Sequence, residues 1–85
     1  MYEILLTKQA HKALRNMPRN TAQRIRGKIE QLATDPHAAN PNVRKLAGRE
    51  GYRLRVGDWR IIYELGEEEL IILVLRIAPR GEVYR

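Results

Sequence analysis

The densest chemistry in the chain lies between Tyr52 and Arg60, where Arg53, Arg55 and Arg60 flank the dipeptide Gly57-Asp58. A guanidinium is a planar fork of donors that matches the oxygens of a phosphate or carboxylate. It does not give up its proton in a protein, so its task is to hold or offset negative charge. Whether the three can act together depends on their side of the backbone. Gly57-Asp58 reads as a two-residue hairpin turn, with Gly first as a type II′ turn prefers. Val56 then faces Trp59, Arg55 faces Arg60, Leu54 faces Ile61, Arg53 faces Ile62 and Tyr52 faces Tyr63.

Opposed residues share a face of the sheet. Tyr52, Leu54, Val56, Trp59, Ile61 and Tyr63 make one apolar face suited to a core. Arg53, Arg55 and Arg60 gather on the other, beside Ile62 and Glu64. Like charges directly opposed destabilise a strand pair, and sequences break local rules where function demands it. RNA phosphate is the ligand such a cluster fits. The competing reading is a solvated face whose arginines pair with Glu64 or Glu50.

More candidates flank the hairpin. Arg80 and Tyr84 follow the last apolar run; the Tyr84 phenol could donate a proton or stack on a base, or simply anchor the chain end. Arg76 joins the arginine face if the loop after Leu65 is odd in length, and the core face if it is even. Lys45, just ahead of the hairpin, is within reach of the same site. Ile62 offers an apolar docking point on the open face.

These residues need a scaffold. Residues 2–6 read as a short strand. Thr7 can cap a helix over residues 8–17, in which Ala10, Ala13, Leu14 and Met17 recur at helical spacing. A second helix runs from about Asn20 to Thr34 with Ala22, Ile25, Ile29, Leu32 and Ala33 on one stripe. Its Arg24, Arg26 and Lys28 lie off that stripe on what reads as a solvated face. Asp35-Pro36 ends it. Residues 35–42 are loop, and from Gly51 the period changes to two. Strands are expected over Tyr52–Val56, Trp59–Leu65 and Leu70–Ile77. The result is an α+β fold of order β-α-α-β-β-β: two N-terminal helices on a small, mainly antiparallel sheet, as one domain over residues 1–85.

Composition narrows the function. The 85 residues carry 16 Lys plus Arg against 10 Asp plus Glu, a net charge of +6. Twelve of the cations are Arg, which points to nucleic acid or an acidic partner. With no Cys there is no disulfide framework, thiol nucleophile or Cys-based metal site. His11 and His37 do not make a metal cluster, so no metal or other cofactor is expected. No apolar run reaches the ~18 residues of a membrane span, and no signal peptide is evident. A cytoplasmic location is the expectation.

Lys45-Leu46-Ala47-Gly48 followed by Gly51-Tyr52-Arg53-Leu54-Arg55-Val56-Gly57-Asp58-Trp59-Arg60-Ile61-Ile62-Tyr63 resembles the central segment of RelE/ParE-superfamily toxins. The ending Arg80-Gly81-Glu82-Val83-Tyr84-Arg85 resembles their tail. The resemblance implies a RelE-like toxin of a type II toxin–antitoxin system that cuts mRNA in the ribosomal A site. Arg53, Arg55, Arg60 and Arg80 would bind RNA and offset charge on the scissile phosphate. Tyr84 would orient or stack the message, and Lys45 and Arg76 would add RNA contacts. The partners implied are the ribosome with its mRNA and a cognate antitoxin in a hetero-oligomer. One departure stands out. Lys or His can move protons in such toxins, whereas here the hairpin positions hold Arg53 and Arg55, and Pro79 precedes Arg80. The remaining candidates for the base are Glu50, Glu82 and Lys45, and Tyr84 is a candidate for the acid. Two alternatives are a ParE-like inhibitor of DNA gyrase and a non-catalytic basic binding domain.

Overall fold

In the computed structural model, which describes residues 1–81, the alternation beginning at Gly51 forms the middle of a five-stranded sheet. Strand β1 (Glu3–Leu6) leads into helices α1 (Lys8–Asn16) and α2 (Arg19–Thr34). Strands β2 (Val43–Lys45), β3 (Tyr52–Val56), β4 (Trp59–Gly66) and β5 (Ile71–Pro79) follow. The sheet order is β1-β5-β4-β3-β2, with β1 parallel to β5 and the other neighbours antiparallel. This is the expected two-helix, mainly antiparallel fold with one short strand more, β2, on the outer edge of β3. Glu82 and Tyr84 lie outside the described residues.

Local chemistry sets the element ends. The Thr7 hydroxyl oxygen accepts from the Ala10 amide at 3.2 Å, capping α1. Asp35 leaves helical geometry (φ −153°) before Pro36. Gly57 takes φ +58°, the left-handed geometry that the first position of the hairpin turn requires. Gly51 is held to glycine twice over: its φ is +109°, and a Cβ there would stand 2.9 Å from the Tyr63 carbonyl oxygen.

The hairpin register is the one read from the sequence, from Val56 opposite Trp59 to Tyr52 opposite Tyr63. Its apolar face packs with Ala10 and Leu14 of α1 and with Ile25, Ile29 and Leu32 of α2. Tyr63 is the largest fully buried side chain, and its ring stacks on Tyr52 at 5.4 Å. Burial pushes the Tyr63 phenol up to about 12. Trp59, at the hairpin tip, packs against this core but stays half-buried.

The opposite face carries a small apolar cluster of its own: Leu46, Ile62 and Ala78, with Leu75 against them. This corrects one expectation. Ile62 is only 2% exposed, so it does not present a docking point.

Strand β5 changes its side-chain parity partway along. Four residues, 67–70, separate β4 from β5. From the turn, Gly66 pairs with Ile71 and Tyr63 with Val74, but Ile62 pairs with Arg76, so Leu75 is an extra residue. The even loop would have sent Arg76 to the core; this β-bulge returns it to the arginine face. The bulge coincides with the end of β1, whose last partner on β5 is Val74. Beyond it, α1 supplies the missing ladder. The Thr7 hydroxyl donates to the Leu75 carbonyl at 2.7 Å. The Gln9 side chain donates to the Ile77 carbonyl at 2.9 Å and accepts the Ile77 amide at 3.0 Å. Backbone groups that would otherwise be orphaned are thereby satisfied, and Arg76 is fixed between them.

Candidate anion-binding site

Arg55 and Arg60 are direct cross-strand partners at the hairpin tip, on the face away from the helices, and Arg53 lies two residues farther along β3. Arg60 is anchored by its own turn: Nη1 donates to the carbonyl oxygens of Gly57 and Trp59, both at 3.0 Å. Arg55 is held from the edge strand's side. Its Nη2 donates to Asn42 Oδ1 at 3.2 Å, and its amide donates to the Asn42 carbonyl at 2.9 Å. Asn42 is itself set by an Asx turn, its amide donating to Asn40 Oδ1 at 2.9 Å. Arg80 comes to the same end of the sheet because its amide donates to the Asp58 carbonyl at 2.7 Å.

The electrostatics report convergence. Partial burial, then the positive charges of Arg53, Arg55 and Arg80, lower the Arg60 pKa from its ordinary value, with Asp58 pulling the other way. Arg60 stays protonated, since arginine does not deprotonate in proteins. Its environment does favour an added anion, which would relieve the repulsion among the guanidinium groups. None of the hydrogen bonds described for Arg55 and Arg60 goes to a carboxylate, so their charges are not neutralised by these contacts.

Arg55, Arg60, Arg80, Asn42 and Asp58 line an open cleft of about 470 Å³. Two α2 residues complete it. Arg24 and Lys28, expected to face solvent, are exposed but border this same cleft. Arg26, the third α2 cation, lies in a separate groove with Ile4, Leu6, Leu14, Ile29 and Glu30. Nothing in the sequence showed which flank of α2 would meet the hairpin tip. The spacing of Arg24 and Lys28 did show that they share a flank. Asn42 carried no signal beyond its place in an Asn- and Pro-containing loop.

The other candidates fall in distinct places. Arg76 sits opposite Ile62, on the arginine face, partly buried. Arg44, which the sequence reading overlooked, pairs with Arg53 and shares its face. Lys45 pairs with Tyr52, which puts it on the helix-facing parity at the far end of the hairpin. There it borders a cleft with Glu50, Glu64 and Glu67, and a recess with Arg44, Arg49 and Arg53. Lys45 and Glu50 therefore do not line the Arg55–Arg60 cleft.

His37 is remote from the arginines. Its Nε2 lies 3.0 Å from Glu67 Oε1, and the Tyr2 hydroxyl donates to Glu67 Oε2 at 2.9 Å. These contacts hold the Glu67 carboxyl below its ordinary value and push the Tyr2 phenol up. Among the described residues no group of three or more His, Cys, Asp or Glu side chains is placed to hold a metal ion. No helix among them is long and apolar enough to cross a membrane.

Known proteins resemble this chain in sequence and fold. Toxin RelG of Mycobacterium tuberculosis is 28% identical over 86 residues, spanning 99% of this chain and 97% of its own length. The crystal structure of the archaeal RelE–RelB complex from Pyrococcus horikoshii OT3 contains a chain that superposes with a TM-score of 0.81 at 31% identity, covering 96% of this chain and 98% of that one. The RelB–RelE antitoxin–toxin complex from Methanococcus jannaschii gives a TM-score of 0.73 at 27% identity, covering 94% of each chain. Residues 4–84 match the family model described as the ParE toxin of the type II toxin–antitoxin system parDE. With that match and these relatives, the chain belongs to the ParE toxin family of type II toxin–antitoxin systems and is a RelE-like member of it.

Proposed function

We propose that this toxin is a ribosome-dependent mRNA endoribonuclease acting in the cytoplasm. The observation that carries the reading is that Arg55, Arg80 and a turn-anchored Arg60 line one cleft, with Arg53 next along the same face of β3. In the reaction the ribose 2′-oxygen attacks the adjacent phosphorus. The O2′–P bond forms and the P–O5′ bond breaks, leaving a 2′,3′-cyclic phosphate and a free 5′-hydroxyl. The 2′-hydroxyl loses a proton and the departing 5′-oxygen gains one. The guanidinium groups offset the charge that builds on the non-bridging oxygens, and being prepositioned they need little reorganisation. Arginine cannot serve as the base. The ribosome's part is to hold the message in line for attack, and positioning of that kind supplies much of a rate. The partner at rest is a cognate antitoxin, by analogy with the RelE–RelB complexes that share the fold.

The test is purified protein added to ribosomes programmed with mRNA. Site-specific cleavage is expected, and Arg60→Ala should lower its rate by about 10²–10³-fold, the scale for removing one preorganised donor, while the circular-dichroism spectrum is kept. Full activity in a folded Arg60→Ala protein would overturn the site. The ParE name of the matching family model favours a second reading, inhibition of DNA gyrase. Under that reading, DNA breaks and an SOS response would precede any arrest of translation.

A further inference from the structure

We propose that Arg24 and Lys28 of α2 form a second wall of the RNA track, gripping a phosphate next to the scissile one as the strand passes the hairpin tip. The proposal rests on the reading of the cleft as an RNA site. Its starting point is a charge imbalance: five cations and one carboxylate, Asp58, line the cleft. A single phosphodiester carries one negative charge, and Arg55, Arg60 and Arg80 already surround the place for it. Arg24 and Lys28 add two further charges that the reaction itself does not need.

Their position fits a neighbouring phosphate. They are one helical turn apart on the same flank, with Cβ atoms about 5–6 Å from one another. Arg24 reaches the turn: its Nη1 lies 3.5 Å from where a Cβ on Gly57 would stand. That is ordinary van der Waals distance, so the guanidinium lies directly beside the tip. Both residues are exposed, and among the described residues neither forms an ion pair. Lysine contributes a mobile point charge and arginine a planar fork, a combination that follows a backbone without reading its bases.

The test uses the full chain and a single-stranded 2′-O-methyl oligonucleotide, which cannot form the cyclic phosphate. Its affinity is followed by fluorescence anisotropy across a salt series for wild type, R24Q/K28Q and the charge-matched control K12Q/R26Q. Each lost phosphate contact should reduce the slope of log K against log salt by about 0.7. The slope of R24Q/K28Q should therefore fall by about 1.4, equally for oligonucleotides of different sequence, and that of K12Q/R26Q should stay at the wild-type value. On programmed ribosomes R24Q/K28Q should need more toxin for half-maximal cleavage, with the saturating rate within about twofold of wild type, because uniform binding leaves the chemical step alone. An unchanged slope, or one equal to the control's, overturns the proposal. So does a lower saturating rate at an unchanged slope, which would place the pair at the reacting centre. So does an unchanged slope with weakened antitoxin binding, which would give this wall to the protein partner. If wild type fails to cleave on ribosomes, the nuclease reading falls, while the slopes still decide whether α2 contacts RNA phosphate.

Discussion

Leu54 and Arg55 are neighbours on β3, as Arg60 and Ile61 are on β4, yet each pair is split between opposite faces of the hairpin. On the helix side, Leu54 and Ile61 are buried against α1 and α2 and hold the fold. On the other side Arg55 and Arg60 stand opposed, a pairing that costs stability. One strand pair thus carries a face that adds cohesion and, at its tip, a like-charge pair that subtracts from it. Alternation alone lets a chain this small hold both, because each backbone position commits its side chain to one face only.

The largest effect that separates the faces should come from Ile61→Ala. That position is fully buried, so the cavity should cost about 2–5 kcal/mol in denaturant unfolding. A loss well below that range would mean that the helices do not depend on the hairpin. Gln9→Ala comes next. It leaves the Ile77 amide and carbonyl without their side-chain partner, at about 1–3 kcal/mol. Faster hydrogen exchange at the Ile77 amide would confirm that Gln9 holds the bulge. Arg55→Ala should go the other way, gaining roughly 0.2–1 kcal/mol by removing a like-charge pair while cleavage falls. A stability loss there would show that the Asn42 contact outweighs the repulsion.

Tyr63→Phe is the smallest change at neutral pH. The folded-state pKa of about 12 lies above the ordinary value of 10.0, so the native protein binds that proton more tightly than the unfolded chain does. The stability this supplies is complete below pH 10 and is lost as pH rises toward 12. Wild type should therefore lose more stability than Tyr63→Phe across that window, measured by urea unfolding at each pH. Parallel curves would place the Tyr63 hydroxyl in water.

The sequence made the hairpin legible because three independent signals agreed there: a Gly-first turn, strict alternation, and cations at every second position of β3. Thr7, the Asp35-Pro36 stop and the α2 stripe were legible for similar local reasons. Strand β2 was not, since Val43–Lys45 is too short to show alternation and is defined only by pairing with β3. Arg76 depended on a bulge whose cause lies where β1 ends and Thr7 and Gln9 begin, far away in the chain. The share of Arg24, Lys28 and Asn42 in the cleft depends on how α2 and a loop pack around the hairpin tip, and no spacing along the sequence reports that packing. Trp59 read as a core residue but sits at the end of the core, so its ring is only partly covered.

The extra residue at Leu75 makes β5 a strand with two counting frames. The strand could lose that residue and keep both frames: with Leu75 removed, Val74 would still face the helices, Arg76 would follow it directly opposite Ile62, and Ile77 would stay inward. Flattening the bulge with Leu75 in place is the damaging change. Arg76 would then share the side of Val74 and carry its guanidinium toward the core, although no charged residue had been altered.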